Sequence, residues 1–455
     1  MMIAGSAHAD GLGTERIVGP PQAHAVAAKY LYINRCVGGC TIRKGGYPGD
    51  AGSRTSFIPD VPDGTDVTLN EYRWDRASWD ALMLCLKEVY SPYDVTVSDM
   101  PPAPGTPYNE GIVAGTAAEL HYSASGVAPV TSDCSPFSYV ISFTLANSIG
   151  SNPIALCQVA AQETGHAFGL DHAFEYFDGR SACIDPMSYR GDCGGQRFFR
   201  NDAARCGEYS ARPCSCGGLQ NSHLKLLSVL GHGTPITAPP VISLTSPANG
   251  AQISNESFVN ATASAQRGVK TVELWLNGYK WAEVPGARFG SAGQPESPYG
   301  IRLPASVPDG IIDVVVRAKD DIDVSTETEK VTVTKGAPCA TADACAAGQR
   351  CDAGRCLWDA PVGVLGDSCE YKQFCKNELC AGADPADQRC TQVCVSGPAD
   401  ACPVGFECLE TTAGGLCWPA SAASPGGCST SNDAAACSGL FLFGLAFVIR
   451  RRRRR

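Results

Sequence analysis

Cysteine sets the strongest limit on what this chain can fold into. Of 455 residues, 24 are cysteine, and 12 of these fall between Cys339 and Cys417. Those 12 group in fours: Cys339, Cys345, Cys351, Cys356; then Cys369, Cys375, Cys380, Cys390; then Cys394, Cys402, Cys408, Cys417. Little apolar sequence separates them, and units so small cannot bury enough surface to keep a shape without cross-links. Zinc ribbons would need paired C-x2-C knuckles, and the sequence contains none. The expectation is a disulfide framework made outside the cytoplasm, with a connectivity that spacing alone does not fix.

The remainder is long enough for further domains, since domains average roughly 150 residues. Hydrophobic residues make up 44%, enough for real cores. The net charge of −10 argues against nucleic acid as a partner. Residues 10–235 read as one unit. Residues 29–35 suggest a strand. Trp79, Leu82, Met83, Leu86 and Val89 recur at helical spacing and predict an amphipathic helix over 76–90. Strands are expected at 94–98, 111–120 and 138–143. Asn152 followed by Pro153 opens a second helix that stops at Gly169. A last helix is expected over 221–230, and His223, near its start, reads as a surface or capping residue. Residues 239–335 are rich in short alternating strands, with a hairpin signal at Asn277-Gly278, and predict a β-sandwich. Asp320, Asp321 and Asp323 there read as a solvated loop rather than as calcium ligands. After the cysteine-rich repeats at 339–417, residues 419–437 read as a flexible linker.

The segment Gln162-Glu163-Thr164-Gly165-His166-Ala167-Phe168-Gly169-Leu170-Asp171-His172 carries the chemistry. Positions 162 and 166 lie on one side of a helix, and Gly169 permits a sharp turn that returns His172 toward His166. Asp185-Pro186-Met187-Ser188-Tyr189 begins 13 residues after His172. Together these resemble the H-E-x-x-H-x-x-G-x-x-H helix and the Met-turn of metzincin metallopeptidases. The likeness spans roughly 200 residues in element order, including the passage from Tyr90 to Val97, and Cys183 and Cys193 are similar to the pappalysin-like branch. It departs from the family at one letter, because Gln162 stands where the first histidine ligand belongs. The opening of the next region, Thr245 to Gly250, resembles bacterial immunoglobulin-like modules.

The resemblance implies a multidomain protein: an α/β (α+β) metzincin-like catalytic domain, an Ig-like β-sandwich, then small disulfide-rich modules. It further implies one zinc ion, with His166, His172 and Gln162 as ligands, Glu163 as general base, Tyr189 as a second catalytic group and Met187 as the floor. Three outcomes stand side by side. Zinc is held by His166, His172 and Gln162, or by a substitute such as Asp171 or His121; it is held loosely; or the site is empty. The first implies a zinc peptidase acting on proteins or peptides, the last a non-catalytic adhesion or recognition protein.

Both ends carry targeting signals. Residues 1–9 end in Ala7-His8-Ala9 and read as the remnant of a signal peptide. Residues 434–449 carry no charge and precede six arginines at 450–455. At about 1.5 Å per residue they span about 24 Å, short of a roughly 30 Å hydrocarbon core. The tail, 438–455, thus reads as a short membrane segment and the chain's only membrane contact, with its arginines on the cytoplasmic side. With Gly427-Cys428 it resembles the sorting tails of myxobacterial surface proteins. That implies export to the surface of a Gram-negative bacterium and cell-surface sorting machinery as a partner.

Overall fold

The computed structural model describes residues 14–21, 26–191, 193–286, 297–382, 384, 387–394, 402–411 and 414–420. The leader remnant, the sorting tail and nearly all of the linker lie outside them. Among the described residues no helix is long and apolar enough to cross a membrane. The chain divides into two compact units, Met1–Asp359 and Ala360–Arg455.

The front of the first unit contains β1 (Thr14–Gly19), β2 (Tyr30–Asn34), β3 (Cys40–Lys44), β4 (Thr55–Ser56), β5 (Asp66–Leu69), α1 (Arg76–Tyr90), β6 (Thr96–Ser98), β7 (Asn109–Val113), β8 (Gly126–Thr131) and β9 (Ile141–Thr144). These are followed by α2 (Ala146–Ile149), α3 (Pro153–Ala167), β10 (Ala173–Tyr176), β11 (Ala203–Cys206), β12 (Gln220–Asn221) and α4 (Ser222–Leu230). One sheet runs in the order β1-β8-β9-β7-β2-β6. Strands β6, β2, β7 and β9 pair in parallel, β8 is antiparallel to β9, and β1 is parallel to β8.

Both main helices begin as their caps dictate. Asp75 accepts from the Ser78 amide, and Asn152 accepts from the amides of Ile154 and Ala155 with Pro153 behind it. Helix α1 turns Trp79, Leu82, Met83, Leu86 and Val89 inward. Helix α3 is buried almost throughout, Gln162, Glu163, Thr164 and His166 included, and Cys85–Cys157 ties the two helices together.

Two strand expectations change. Residues 111–120 are not one strand: β7 ends at Val113, and the chain turns at Gly115 (φ +65°). There the Glu119 carboxylate accepts the amides of Thr116 and Asn70. Strand β8 was not anticipated. All six of its residues are buried, so it shows no alternation, and Pro129 inside it argues against a strand.

The second region comprises β13 (Val241–Ser246), β14 (Gln252–Ile253), β15 (Phe258–Ser264), β16 (Thr271–Leu276), β17 (Tyr279–Pro285), β18 (Ser297–Arg302), β19 (Gly310–Lys319), β20 (Ser325–Glu327) and β21 (Val331–Lys335). They form two sheets, β13-β15-β18 and β14-β21-β19-β16-β17, with β20 beside β19. Val259, Val272, Leu274, Val314 and Val316 contribute to the core. Asn277 (φ +50°) and Gly278 (φ +84°) make the expected hairpin turn between β16 and β17.

The acidic loop is not solvated as expected. Asp321 is buried and forms an ion pair with Arg267, Nε to Oδ1 at 2.8 Å, and with Arg200 of the front region at 3.5 Å. Arg267 also donates to the Phe199 carbonyl at 3.1 Å. Burial works to raise the Asp321 carboxyl, but the two guanidiniums outweigh it and hold it below its usual range. The sandwich is therefore bound to the front region by charges buried in a shared interface.

Every cysteine among the described residues is paired. Each four-cysteine unit joins first to third and second to fourth: Cys339–Cys351 with Cys345–Cys356, Cys369–Cys380 with Cys375–Cys390, Cys394–Cys408 with Cys402–Cys417. The first, with β22 (Gln349–Asp352) and β23 (Arg355–Trp358), packs on the sandwich, its Trp358 ring 5.0 Å from that of Trp281. The other two fall in Ala360–Arg455. In that unit β24 (Cys380–Ala381) pairs with β25 (Arg389–Cys390), and β26 (Val393–Cys394), β28 (Gly414–Pro419) and β27 (Phe406–Thr411) form a small sheet. Thr391 there donates its hydroxyl to the Cys417 carbonyl at 2.6 Å.

Asp321→Ala leaves two buried guanidiniums without their carboxylate. It should lower stability by about 3–5 kcal/mol, read as a lower denaturant midpoint for Met1–Asp359 within the intact chain. An unchanged midpoint would show that the interface does not depend on this charge.

Candidate metal centre

Helix α3 supplies Gln162, Glu163 and His166, and the turn after it supplies His172. All four side chains are buried at 1% exposure or less. Gly169 adopts φ +84°, and a Cβ there would stand 2.1 Å from the Cys134 carbonyl oxygen, so only glycine fits. Gly165 is required for a different reason. A Cβ on it would lie 2.8 Å from Met187 Sδ, so the bare helix surface admits the methionine. Asp185 holds that turn in place, accepting the Met187 amide at 2.9 Å and the Arg200 amide at 3.0 Å.

The turn brings the two imidazoles together, Nε2 to Nε2 at 2.9 Å. His166 Nδ1 lies 2.7 Å from the Leu170 carbonyl oxygen, which can only accept. His172 Nδ1 lies 2.9 Å from Glu208 Oε1. Hydrogen bonds from His172 and Arg212 hold the Glu208 carboxyl well below its usual range, so it too accepts. Both protons therefore sit on Nδ1, and two Nε2 lone pairs face each other. Burial first, then the neighbouring imidazole, lowers the His166 pKa well below its ordinary value. Burial also lowers that of His172, against the pull of Glu208.

Glu163 lies on the helix that carries His166. Among the described residues neither of its carboxylate oxygens has a hydrogen-bond partner, and burial drives its pKa well up, with Glu15 adding to the effect. Facing lone pairs on His166 and His172, and a buried carboxyl on the helix that carries His166, are groups a cation would satisfy. Two nitrogens each about 2.0–2.1 Å from one tetrahedral zinc stand about 3.3–3.4 Å apart. The observed separation is a few tenths of an ångström less. In spacing, the two converging nitrogens are compatible with one shared divalent ion.

Sequence reasoning located Gln162, Glu163, His166, His172, Met187 and Tyr189, and the fold brings several of them together. Gln162 shares the helix face of His166, and the Tyr189 ring packs on His172 at 4.4 Å. Neither substitute ligand recommends itself. His121 is exposed in a turn at φ +55°. Asp171 is held by Arg212 at 2.7 and 2.8 Å and by Arg16 at 2.9 Å. Asp171, His172 and Glu208 lie within 4.8 Å of one another, but guanidiniums already serve the two carboxylates. The other clusters of potential ligands are cysteines joined as disulfides.

Glu208, Arg212 and Arg16 were missed. Glu208 lies 36 residues beyond His172, and no spacing rule connects them. His223 is not a surface residue. It is buried, its Nδ1 2.9 Å from the Tyr93 hydroxyl oxygen, and burial lowers its pKa to about 4.

Residues 240–333 match the family described as bacterial Ig domain. No curated protein matches the chain. Three solved structures are similar to parts of it. The fibronectin(III)-like modules of Clostridium thermocellum CbhA share 20% identity, over 21% of this chain and 95% of theirs, with a TM-score of 0.16. A lytic polysaccharide monooxygenase of Jonesia denitrificans shares 16%, over 28% of this chain and 75% of its own, at 0.15. Wild-type OgpA from Akkermansia muciniphila shares 12%, over 70% of this chain and 95% of its own, at 0.17. Scores this low carry no argument. The family match, the two sheets and the paired cysteines define a multidomain, mostly β protein with a bacterial Ig domain and disulfide-rich C-terminal modules.

Gly169→Ala should destabilise the intact chain by more than about 1 kcal/mol, through the positive φ and the contact with Cys134. Thermal unfolding checks this, and a melting temperature equal to that of the parent would show that the turn has another solution.

Proposed function

We propose that the front region is a metzincin-like zinc metallopeptidase that hydrolyses peptide bonds in proteins. One observation carries the reading: two imidazole Nε2 atoms, 2.9 Å apart with both Nδ1 protons committed elsewhere, on a helix and turn that also carry a buried carboxyl with no hydrogen-bond partner among the described residues. The motif helix and Met-turn support it. His166 and His172 would hold the ion, with Gln162 as the third donor. Bound zinc supplies Lewis acidity and lowers the pKa of a water molecule to about 7.

The chain's own groups do the rest. The Leu170 carbonyl and Glu208 fix both imidazole tautomers. Glu163 takes a proton at a carboxylate oxygen and returns it to the leaving nitrogen. Burial raises its pKa, and a neighbouring positive charge favours the ionised form that a base needs. Tyr189, packed on His172, brings a phenol O–H to the same place as a donor. In this reading the protein is exported and held at a Gram-negative cell surface by its tail, as the disulfides and the Ig domain suit. The other modules position the peptidase or its substrate.

Gln162 favours a second reading, in which the fold serves recognition and holds no metal. The two are separated by zinc analysis and cleavage assays on the purified chain. The peptidase reading expects about one zinc per chain, cleavage of an unfolded protein substrate, and Glu163→Ala abolishing cleavage while zinc stays bound. No zinc at saturating supply would sink it. In addition, Gln162→His should tighten zinc binding at least about tenfold, measured by chelator competition.

A further inference from the structure

Strand β8 would be the edge of the sheet if β1 did not lie along it. The two pair in parallel register, Thr14 opposite Gly126 through Gly19 opposite Thr131. This edge passes Glu163, because a Cβ on Gly126 would stand 2.6 Å from Glu163 Oε1. Whatever extended segment occupies it runs past Glu163.

The chain's own segment places one side chain with particular care. Arg16 reaches Asp171 Oδ1 through Nη1 at 2.9 Å, Glu208 Oε1 through Nε at 3.5 Å, and the Ser215 hydroxyl at 3.3 Å. Its side chain is only 13% exposed, and Asp171 is 1% exposed. The notch holds two carboxylates and one resident cation, Arg212. Without Arg16 it would carry an uncompensated negative charge, half of it on a buried aspartate. A second guanidinium, entering on an extended strand, balances that charge, and its planar fork suits paired oxygen acceptors.

We propose that the notch formed by Asp171 and Glu208 is a specificity subsite for a basic side chain, arginine above all, on an extended peptide laid along β8. Thr14–Gly19, with Arg16 seated in the notch, holds that place in the resting chain. The proposal rests on the peptidase reading for its consequence, because it names the class of substrate: a polypeptide strand with arginine beside the bond cleaved. Recognition is by strand addition, in which backbone pairing gives affinity and the notch gives selectivity. The resident strand competes at high effective concentration, so access to the edge is limited until it yields.

The test uses the full chain as wild type, Arg16→Ala and Arg16→Lys, loaded with zinc. Two peptides are compared, identical except that one carries arginine and the other its neutral isostere citrulline. Arg16→Ala should cleave the arginine peptide at least about tenfold faster than wild type, and at least about tenfold faster than it cleaves the citrulline peptide. Arg16→Lys should stay close to wild type, and matched melting temperatures show that the variants are folded. Cleavage of both peptides at one rate, or no gain in Arg16→Ala, overturns the proposal and leaves the peptidase reading standing. Should no variant cleave anything, the peptidase reading fails, and fluorescence anisotropy on Arg16→Ala decides the subsite alone. At least about tenfold tighter binding of the arginine peptide supports it, and equal binding of the two peptides overturns it.

Discussion

Two imidazole nitrogens face each other at 2.9 Å, and neither can turn away. The Leu170 carbonyl commits one ring and the Glu208 carboxylate the other. Opposed lone pairs in a water-excluded interior are unfavourable without a cation. Much of the local structure serves to impose this geometry: the left-handed Gly169, the bare Gly165 that admits Met187, and the carboxylate of Asp185 that gathers the turn at Met187.

The support extends beyond the front region. The Arg200 amide is bound by Asp185, and its guanidinium meets Asp321 of the Ig domain. Arg267 closes the same cluster through Asp321 and the Phe199 carbonyl. A short path of buried hydrogen bonds and ion pairs thus links the turn at Met187 to the sandwich, and the Ig domain acts as a buttress rather than a tethered appendage. Buried ion pairs contribute little net stability, but breaking one leaves a charge that cannot be solvated. The interface is consequently specific to one docking geometry. The same rule of paired charge governs the acidic notch, where Asp171 and Glu208 are answered by Arg212 and Arg16.

The disulfides divide the labour differently along the chain. In the front region Cys85–Cys157 joins two helices that already share a hydrophobic core. In the second compact unit the pairs substitute for a core, and Cys369, Cys375, Cys390 and Cys417 are among its buried residues. The recurring first-to-third, second-to-fourth pairing marks the three cysteine units as variations on one small design.

What the sequence by itself determined was whatever is encoded locally. Caps and apolar spacing placed α1, α3 and α4, the Asn277-Gly278 turn placed a hairpin, and cysteine density announced disulfides. The near-match from Gln162 to His172 announced two histidines and a glutamate on one helix and its turn. What only the tertiary structure decided was long-range: the burial of Asp321 and His223, the strand β8 that carries no alternation, and the pairing of Glu208 with His172 across 36 residues. The partners of a buried charge are chosen by which surfaces meet in space, and sequence separation carries no record of that. The seat of Arg16 beside the histidines is the plainest case. A single arginine in a short N-terminal strand has no local signature, and its place follows only from the open edge of β8.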